Sequence, residues 1–263
     1  MTDLFALKGK VALVSGATGY LGRSIVEGMA SSGALVYVNG RSESKVIELI
    51  ENLKIKKINA KAAVFDITDH EQVRDFFDKF PEKKLDILIN NAYCGGSGSS
   101  VTASADDFRE SYEVSMVGAH NLFQLALPYL RMASQINRDA SVINIASMYG
   151  TVSPDFQMYS NPAKQNPPFY GAAKAALIQW TKYLACEFAK EGLRVNSISP
   201  GPFPSSLVKD NDSILYHKIT EKTPIGRVGS PQELIGPVIF LASNASSFIT
   251  GVNLPVDGGW TAL

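Results

Sequence analysis

The sequence predicts an α/β fold, a doubly wound parallel β-sheet with helices on both of its faces. Three observations support this prediction. Short apolar runs, each about the length of one strand, alternate with longer amphipathic stretches along the chain. The runs are continuously apolar, as in strands that are buried on both sides. The 263 residues, 45% of them hydrophobic and 19% charged, are sufficient for a large domain with a buried core.

The predicted elements follow one another in alternation. Each strand is a short run rich in β-branched and other apolar residues, and the six runs lie at residues 11–14, 34–38, 62–65, 86–89, 141–145 and 194–198. Between them, the spacing of apolar residues predicts helices at residues 20–32, 45–53, 71–80, 105–131 and 174–190. Because parallel strands need crossover connections, this alternation is what a doubly wound sheet requires.

One domain is expected over residues 1–263, since no linker rich in glycine, serine or proline divides the chain. Two long irregular segments follow predicted strands, at about residues 151–169 and 201–222. The carboxyl ends of parallel strands meet at one edge of a sheet, where such folds bind their ligands. We therefore expect both segments to form loops over a substrate site.

The charge and cysteine content exclude several classes of protein. Lysine plus arginine and aspartate plus glutamate each number 25, so no excess of positive charge favours nucleic acid or an anionic membrane. The two cysteines, Cys94 and Cys186, lack the spacing of a metal site, and no metal is expected. The first residues lack the pattern of a signal peptide, and no apolar run is long enough to span a membrane. We expect a soluble, cytoplasmic protein.

A glycine-rich turn connects the first predicted strand to the first predicted helix. It contains Gly16, Gly19 and Gly22. Glycine lets the backbone approach a pyrophosphate group, which then lies at the positive end of the following helix. With a strand before it and a helix after it, the turn predicts a Rossmann-type site for a dinucleotide.

The end of the second strand indicates which dinucleotide is bound. NAD enzymes usually carry a carboxylate there, which binds the ribose 2′-hydroxyl, whereas NADP enzymes tend to carry an arginine. Residues 38–42 contain no carboxylate, and Arg41 stands where its guanidinium could bind a 2′-phosphate. The alternative is that Arg41 is a solvated surface charge. The sequence therefore favours NADP as the cofactor and leaves NAD open.

Tyr170 and Lys174 are candidates for proton transfer. Their spacing of four places both side chains on one face of a predicted helix, one turn apart. An ammonium beside a phenol is expected to lower the pKa of Tyr170, which makes the tyrosine usable as an acid or a base near neutral pH. Ser147, just after the fifth strand, could donate a hydrogen bond to a substrate oxygen. The alternative is a structural role, with the tyrosine in the core and the lysine reaching the surface.

Together these motifs resemble the short-chain dehydrogenase/reductase family in its single-domain form. Their order along the chain is the glycine turn, Asn90-Asn91-Ala92, Ser147, Tyr170-x-x-x-Lys174 and Pro200-Gly201. The resemblance covers nearly the whole chain, from residue 7 to the ending at residues 251–260. It implies an oxidoreductase that transfers a hydride between nicotinamide and a ketone or secondary alcohol.

The resemblance also implies roles for the matching residues. Tyr170 would be the general acid and base, Lys174 would lower its pKa and bind the nicotinamide ribose, and Ser147 would bind the substrate oxygen. Asp66 would bind the adenine amino group. Together with Arg41, the residues expected to contact the dinucleotide are Gly16, Thr18, Gly19, Leu21, Gly22, Asp66, Ile67, Asn91, Ala92, Tyr170, Lys174, Pro200 and Gly201. In such families the helix of the tyrosine often lies in a subunit interface, which implies a homotetramer or a dimer.

Three positions depart from the family pattern. Tyr20 stands where the turn usually has its middle glycine, and Tyr93 replaces the glycine expected after Asn90-Asn91-Ala92. Ser115 takes the position of an asparagine that is thought to hold a water molecule linking the lysine to solvent. A serine could still hold that water with one donor fewer. The alternative is that Ser115 is a small residue that packs inside a helix.

The span from Ser147 to Tyr170 is longer than is usual in the family, and its extra residues are polar or conformationally restricted. Polar side chains over the pocket favour a hydroxylated substrate, such as a sugar or sugar acid.

Two other functions stay open. The glycine spacing is also that of sugar-nucleotide epimerases and dehydratases, although those enzymes carry a further C-terminal domain and this sequence ends at residue 263. A non-catalytic dinucleotide sensor would have no need of the three candidate catalytic residues.

Overall fold

Parallel strands form one β-sheet in the protein, whose computed structural model describes residues 4–56 and 58–263. Within these residues the strands are β1 (Val11–Val14), β2 (Leu35–Gly40), β3 (Ala60–Val64), β4 (Ile87–Asn90), β5 (Ala140–Ile145), β6 (Leu193–Pro200) and β7 (Asn253–Val256). Their order in the sheet is β3-β2-β1-β4-β5-β6-β7. The order reverses between β1 and β4, which opens a crevice at the carboxyl edge of the sheet. The prediction of a doubly wound, Rossmann-type fold is confirmed.

Helices cover both faces of the sheet. The α-helices of the described residues are α1 (Tyr20–Ser31), α2 (Glu43–Ile55), α3 (His70–Asp78), α4 (Ala105–Tyr112), α5 (Gly118–Asn137), α6 (Pro168–Phe188), α7 (Ser206–Asn211), α8 (Ser213–Lys222) and α9 (Ile235–Ala242). Val11 and Leu13 of β1 belong to an apolar cluster with α3, α5 and α6, whereas Ala12 and Val14 belong to one with α1, α2 and α9. This division follows from the alternation of side chains along a strand. None of the described helices is both long enough and apolar enough to cross a membrane.

The strand β7 was not predicted from the sequence. This strand pairs with β6 at the edge of the sheet, in a register that runs from Ser197 opposite Asn253 to Pro200 opposite Val256. Because an edge strand has a neighbour on one side only, its residues are incompletely buried and do not form a continuous apolar run. Pro255 lies within the strand, which an edge position tolerates.

The single helix predicted at residues 105–131 is two helices, α4 and α5, joined by a π-helical turn at Glu113–Val117. A π-helical turn has wider hydrogen bonding than an α-helix and occurs mostly as an insertion of a single turn. It buries the neighbouring residues Ser115 and Met116 together. The apolar spacing on either side stays helical, so the interruption was not predicted.

Both segments predicted to be irregular contain short helices. Residues 151–169 include 3₁₀ turns at Phe156–Met158 and Pro162–Lys164, and α6 begins at Pro168. Residues 201–222 include α7 and α8. Met158 and Trp260 belong to one small apolar cluster, against which Leu215 of α8 packs. The two segments are therefore joined by apolar contacts beyond the carboxyl ends of β5 and β6.

Candidate active site

A cleft with a volume of about 610 Å³ lies at the carboxyl edge of the sheet, between the turn after β1 and the segment after β6. Every residue predicted to contact the dinucleotide lines it, namely Gly16, Thr18, Gly19, Leu21, Gly22, Arg41, Asp66, Ile67, Asn91, Ala92, Tyr170, Lys174, Pro200 and Gly201. Other lining residues were not predicted to bind the cofactor, among them Tyr20, Asn39, Lys45, Cys94 and Phe203. The structure thus brings the predicted residues together, and their contacts with a cofactor stay a prediction.

The turn after β1 is held tightly against the end of β4. Gly16 has a φ of +59°, and a Cβ atom at this position would lie 2.7 Å from the Cα atom of Ala92. A Cβ atom on Gly22 would overlap the carbonyl oxygen of Gly16. The side-chain amide of Asn91 donates hydrogen bonds of 3.0 Å to the carbonyl oxygens of Ser15 and Gly16. Only glycine fits these positions without moving the backbone.

The amino end of α1 opens into the cleft. Gly19 precedes the helix and offers no side chain to cap its first turn. Leu21 and Gly22, in that first turn, line the cleft. Backbone N–H groups at such a helix end can bind an anion, and the helix dipole favours negative charge there. This wall of the cleft therefore fits a pyrophosphate group.

Two cations lie beside the cleft where β2 ends. The Arg41 side chain is 73% exposed, and its Nη1 atom lies 3.6 Å from Oδ2 of Asp66. Lys45, about one helical turn later in the chain, also lines the cleft. Asn39 is buried at the end of β2, and its amide donates hydrogen bonds of 2.9 and 3.1 Å to two carbonyl oxygens on and just after β3. The strand end thus carries a neutral amide with cations beside it, an arrangement that suits a phosphate group.

Ser147, Tyr170 and Lys174 come together between β5 and α6. Ser147 follows β5, and the other two residues lie one turn apart on α6. The hydroxyl of Ser147 accepts a hydrogen bond of 3.1 Å from the N–H of Tyr149 and lies next to the phenol of Tyr170, whose pKa it lowers. Nζ of Lys174 donates a hydrogen bond of 2.8 Å to the carbonyl oxygen of Ile145 and lies 5.8 Å from the centre of the Tyr170 ring. The three candidates for proton transfer therefore occupy one site.

Burial dominates the acidity of both titratable groups in this site. It lowers the pKa of Lys174 to about 8, since the ammonium loses its hydration inside the protein. It raises the pKa of Tyr170, and the nearby hydroxyl of Ser147 offsets part of that rise. The pKa of Tyr170 is thus raised, whereas the sequence predicted that Lys174 would lower it. The reason is that desolvation of the phenolate dominates, while the ammonium of Lys174 is hydrogen-bonded to the carbonyl oxygen of Ile145.

Further phenol groups surround Tyr170. The ring of Tyr93 packs edge-on against the Tyr170 ring, with 4.8 Å between the two centroids, and Nζ of Lys174 lies 5.4 Å from the centre of the Tyr93 ring. Tyr149 lies next to Tyr159, and burial raises the pKa of the Tyr149 phenol. From the sequence, Tyr93 was identified only as a replacement for the glycine of the family pattern. The position of Tyr149, two residues after Ser147, was the one available signal for its proximity to the site.

A ladder of buried polar side chains connects the sheet to α6. The amide of Asn90 donates a hydrogen bond of 2.8 Å to Oδ1 of Asn144. The amide of Asn144 in turn donates one of 2.8 Å to Oγ1 of Thr181, on α6. The ladder therefore helps to fix the helix that carries Tyr170 and Lys174. The sequence marked Asn90 as part of a motif but could not identify its partners.

Ser115 does not line the cleft. It is buried in the π-helical turn, which packs against α6, and its side chain is 2% exposed. Its hydroxyl has no hydrogen-bond partner among the residues that the structure describes. Both hypotheses for Ser115, a role in proton relay and a role in packing, stay predictions.

Comparison with known proteins gives consistent matches over the chain. The family model described as enoyl-(acyl carrier protein) reductase matches residues 16–261. An uncharacterized short-chain type dehydrogenase/reductase of Sinorhizobium fredii is 32% identical over 270 aligned residues, which cover 100% of this chain and 46% of that longer protein. The sorbose reductase of Candida albicans is 35% identical over 270 aligned residues, which cover 98% of this chain and 89% of that protein.

A solved structure is similar over nearly its whole length. The crystal structure of a gluconate 5-dehydrogenase from Burkholderia cenocepacia, in complex with NADP and tartrate, matches with a TM-score of 0.88 and 31% sequence identity. The match covers 99% of this chain and 98% of that one. Since sequence relatives, a family model and the sheet topology all agree, the chain belongs to the short-chain dehydrogenase/reductase family.

Proposed function

We propose that the protein is an oxidoreductase that prefers NADP(H) and transfers a hydride between nicotinamide and a ketone or secondary alcohol. The observation that carries this proposal is that Tyr170, which lies next to Ser147, and Lys174 line a cleft that also contains a glycine turn and an open helix end. A protein that only senses a dinucleotide has no need of a hydroxyl, a phenol and an ammonium at one point. We therefore assign these three residues to catalysis.

The charges beside β2 support NADP(H) over NAD(H). Arg41 and Lys45 line the cleft and would bind a 2′-phosphate, and Asn39 is a neutral amide near the strand end where an NAD enzyme carries a carboxylate. Arg41 forms an ion pair with Asp66, the residue proposed to bind the adenine amino group, which supports a role for Arg41 beside the adenosine. The related gluconate 5-dehydrogenase was solved with NADP, which supports the same choice here.

Bound nicotinamide would supply the hydride in reduction and accept it in oxidation. In reduction, Tyr170 donates its phenol proton to the carbonyl oxygen of the substrate, and Ser147 donates a hydrogen bond to the same oxygen. Burial lowers the pKa of Lys174 to about 8, so the ammonium is still charged at neutral pH. That charge stabilises the phenolate left on Tyr170. In oxidation the phenolate accepts the proton of the alcohol.

We propose a polyhydroxylated substrate, such as a sugar or sugar acid. The phenols of Tyr93, Tyr149 and Tyr159 lie in and next to the site and can exchange hydrogen bonds with hydroxyl groups. Residues 151–169, which provide Tyr159, would act as one substrate loop, and residues 201–222 as the other. The names of two relatives, a sorbose reductase and a gluconate 5-dehydrogenase, support this class of substrate.

We also propose that the protein is a homo-oligomer and that it is cytoplasmic. Phe108 and Tyr112 on α4 and Tyr183 on α6 are exposed, and a subunit interface of dimer or tetramer would cover apolar side chains of this kind. The free cysteines Cys94 and Cys186 are compatible with a reducing compartment. Light scattering after size-exclusion chromatography tests the oligomer, and an elution at the mass of one chain would contradict it.

The function is tested with a panel of ketoses, polyols, sugar acids, steroids and aliphatic ketones, each with NADPH or NADH, or the oxidised forms. The change in nicotinamide absorbance reports turnover. We expect activity with a polyhydroxylated compound, higher with NADP(H), and a turnover at least ~10²-fold lower from the Tyr170→Phe variant. Binding of a dinucleotide without turnover of any compound would contradict the proposal and favour a sensor.

A further inference from the structure

Tyr20 forms a hydrogen bond between two distant parts of the chain. It is the first residue of α1, at the position where the family pattern has a glycine. Its phenol oxygen donates a hydrogen bond of 3.1 Å to the carbonyl oxygen of Pro204, which is 184 residues away in sequence. Pro204 lies in the segment that follows β6 and precedes α7.

This hydrogen bond joins opposite walls of the cleft. Tyr20 lines the cleft on the side of the glycine turn, together with Gly19 and Leu21. Phe203, the neighbour of Pro204, lines it on the side of β6, together with Gly201. A dinucleotide that lies between the glycine turn and the β6 segment would therefore lie beside the bridge from Tyr20.

The β6 wall is held in place independently of Tyr20. The N–H of Gly201 donates a hydrogen bond of 3.0 Å to the carbonyl oxygen of Val256 on β7. The N–H of Gly229 donates one of 2.9 Å to the carbonyl oxygen of Pro202. Because the segment is anchored at its base, loss of the Tyr20 bond frees the edge of the cleft without releasing the wall. The bond can therefore open and close as a local event.

We propose that Tyr20 retains the cofactor: the bond from its phenol to Pro204 must open before a dinucleotide enters or leaves, and it closes again afterwards. This inference rests on the proposed function, since it requires NADP(H) in the cleft. Tyr20 is 46% exposed, so water can compete for the bond. A single hydrogen bond of this kind favours the closed state by about fivefold, which is about 1 kcal/mol at 1.4 kcal/mol per factor of ten.

The test measures association and dissociation of NADPH by stopped-flow fluorescence, the dissociation by displacement with excess NADP⁺. Tyr20→Phe removes the phenol oxygen and keeps the ring. Tyr129→Phe is the matched control, since Tyr129 also donates a hydrogen bond to a backbone carbonyl, that of Phe77 at 2.8 Å, away from the cleft. Tyr20→Leu is a second variant without the donor, for the case that Tyr20→Phe folds poorly.

If opening of the Tyr20–Pro204 bond limits both entry and release of the cofactor, its loss should change both rate constants. We expect Tyr20→Phe and Tyr20→Leu to raise the association and dissociation rate constants by about fivefold each, with Kd changed by less than about twofold. Tyr129→Phe should change neither rate constant. Rate constants equal to wild type would overturn the inference, as would a faster dissociation with unchanged association, which indicates direct contact between the phenol and the nucleotide. A wild-type protein that binds no NADPH would refute the proposed function itself, and with it this role of Tyr20.

Discussion

The ammonium of Lys174 is buried, and its burial lowers the stability of the fold. The side chain is 3% exposed, and burial lowers its pKa from 10.5 to about 8. A shift of that size corresponds to about 3 kcal/mol of unfavourable free energy for the charged form. Lys174→Met keeps the aliphatic stem and removes the charge. Removal of the buried charge should therefore raise the free energy of unfolding, and loss of the hydrogen bond to Ile145 offsets about 1 kcal/mol of that increase. We expect a net rise of about 2 kcal/mol at pH 7.

The stability difference between Lys174→Met and the wild type should decrease as the pH rises. The pKa of Lys174 is lower in the folded state than in the unfolded state, so the unfolded chain binds more protons between the two values, about 8 and 10.5. Stability of the wild type therefore rises with pH across that window, whereas the methionine of the variant has no proton to lose. From pH 7 to pH 9 the wild type should gain about 1 kcal/mol relative to Lys174→Met, which reduces the advantage of the variant to about 1 kcal/mol.

Urea unfolding followed by circular dichroism at pH 7, 8 and 9 measures these differences. Lys182→Met is the control, because Lys182 lies on the same helix and is exposed. It should leave the pH dependence unchanged. A Lys174→Met protein that is less stable than wild type at pH 7, or a difference that stays constant from pH 7 to pH 9, would refute the reasoning. Stabilisation together with lost turnover would show that the lysine is kept for catalysis at the expense of stability.

Three further predictions concern the site. Tyr170→Phe should lower kcat by at least ~10²-fold with little change in cofactor Kd, because it removes the proton donor and spares the packing; surviving turnover would mean that another group supplies the proton. Arg41→Ala should weaken NADP(H) binding by about 1.5–3 kcal/mol in calorimetry and hardly change NAD(H) binding, and equal losses would leave Arg41 a general surface charge. If Ser115 holds a relay water, Ser115→Asn should keep or modestly raise turnover, and Ser115→Ala should lower it less than Tyr170→Phe does. Unaltered turnover in a folded Ser115→Ala protein, beside a destabilised Ser115→Asn protein, would show instead that the position serves packing.

Several features of the fold and the site follow from the sequence because they are local. The inner strands of a parallel sheet are buried on both faces, so their sequences are continuous apolar runs. The glycine turn must combine a strand end, a tight backbone and a helix start within a few residues. Tyr170 and Lys174 share a helix face because they are four residues apart. Each of these signals lies within one short stretch of sequence and could be identified there.

Tertiary structure decided the features that depend on packing between distant residues. β7 forms by pairing with β6 at the edge of the sheet, although its own residues form no apolar run. The partners of Asn90 and the edge-on contact of Tyr93 with Tyr170 join separate strands and helices. The hydrogen bond from Tyr20 to Pro204 crosses the cleft between residues that no sequence pattern relates.

The acidity of Tyr170 shows why such features cannot be derived from spacing alone. The sequence placed an ammonium one turn away and therefore predicted a lowered pKa. The pKa of a group depends also on how much water reaches it, and that is set by every element packed around it. Here the surrounding elements leave Tyr170 only partly exposed, and the loss of hydration raises the pKa of its phenol. Sequence determined which groups are present in the site, and the packing of the whole chain determined their electrostatic environment.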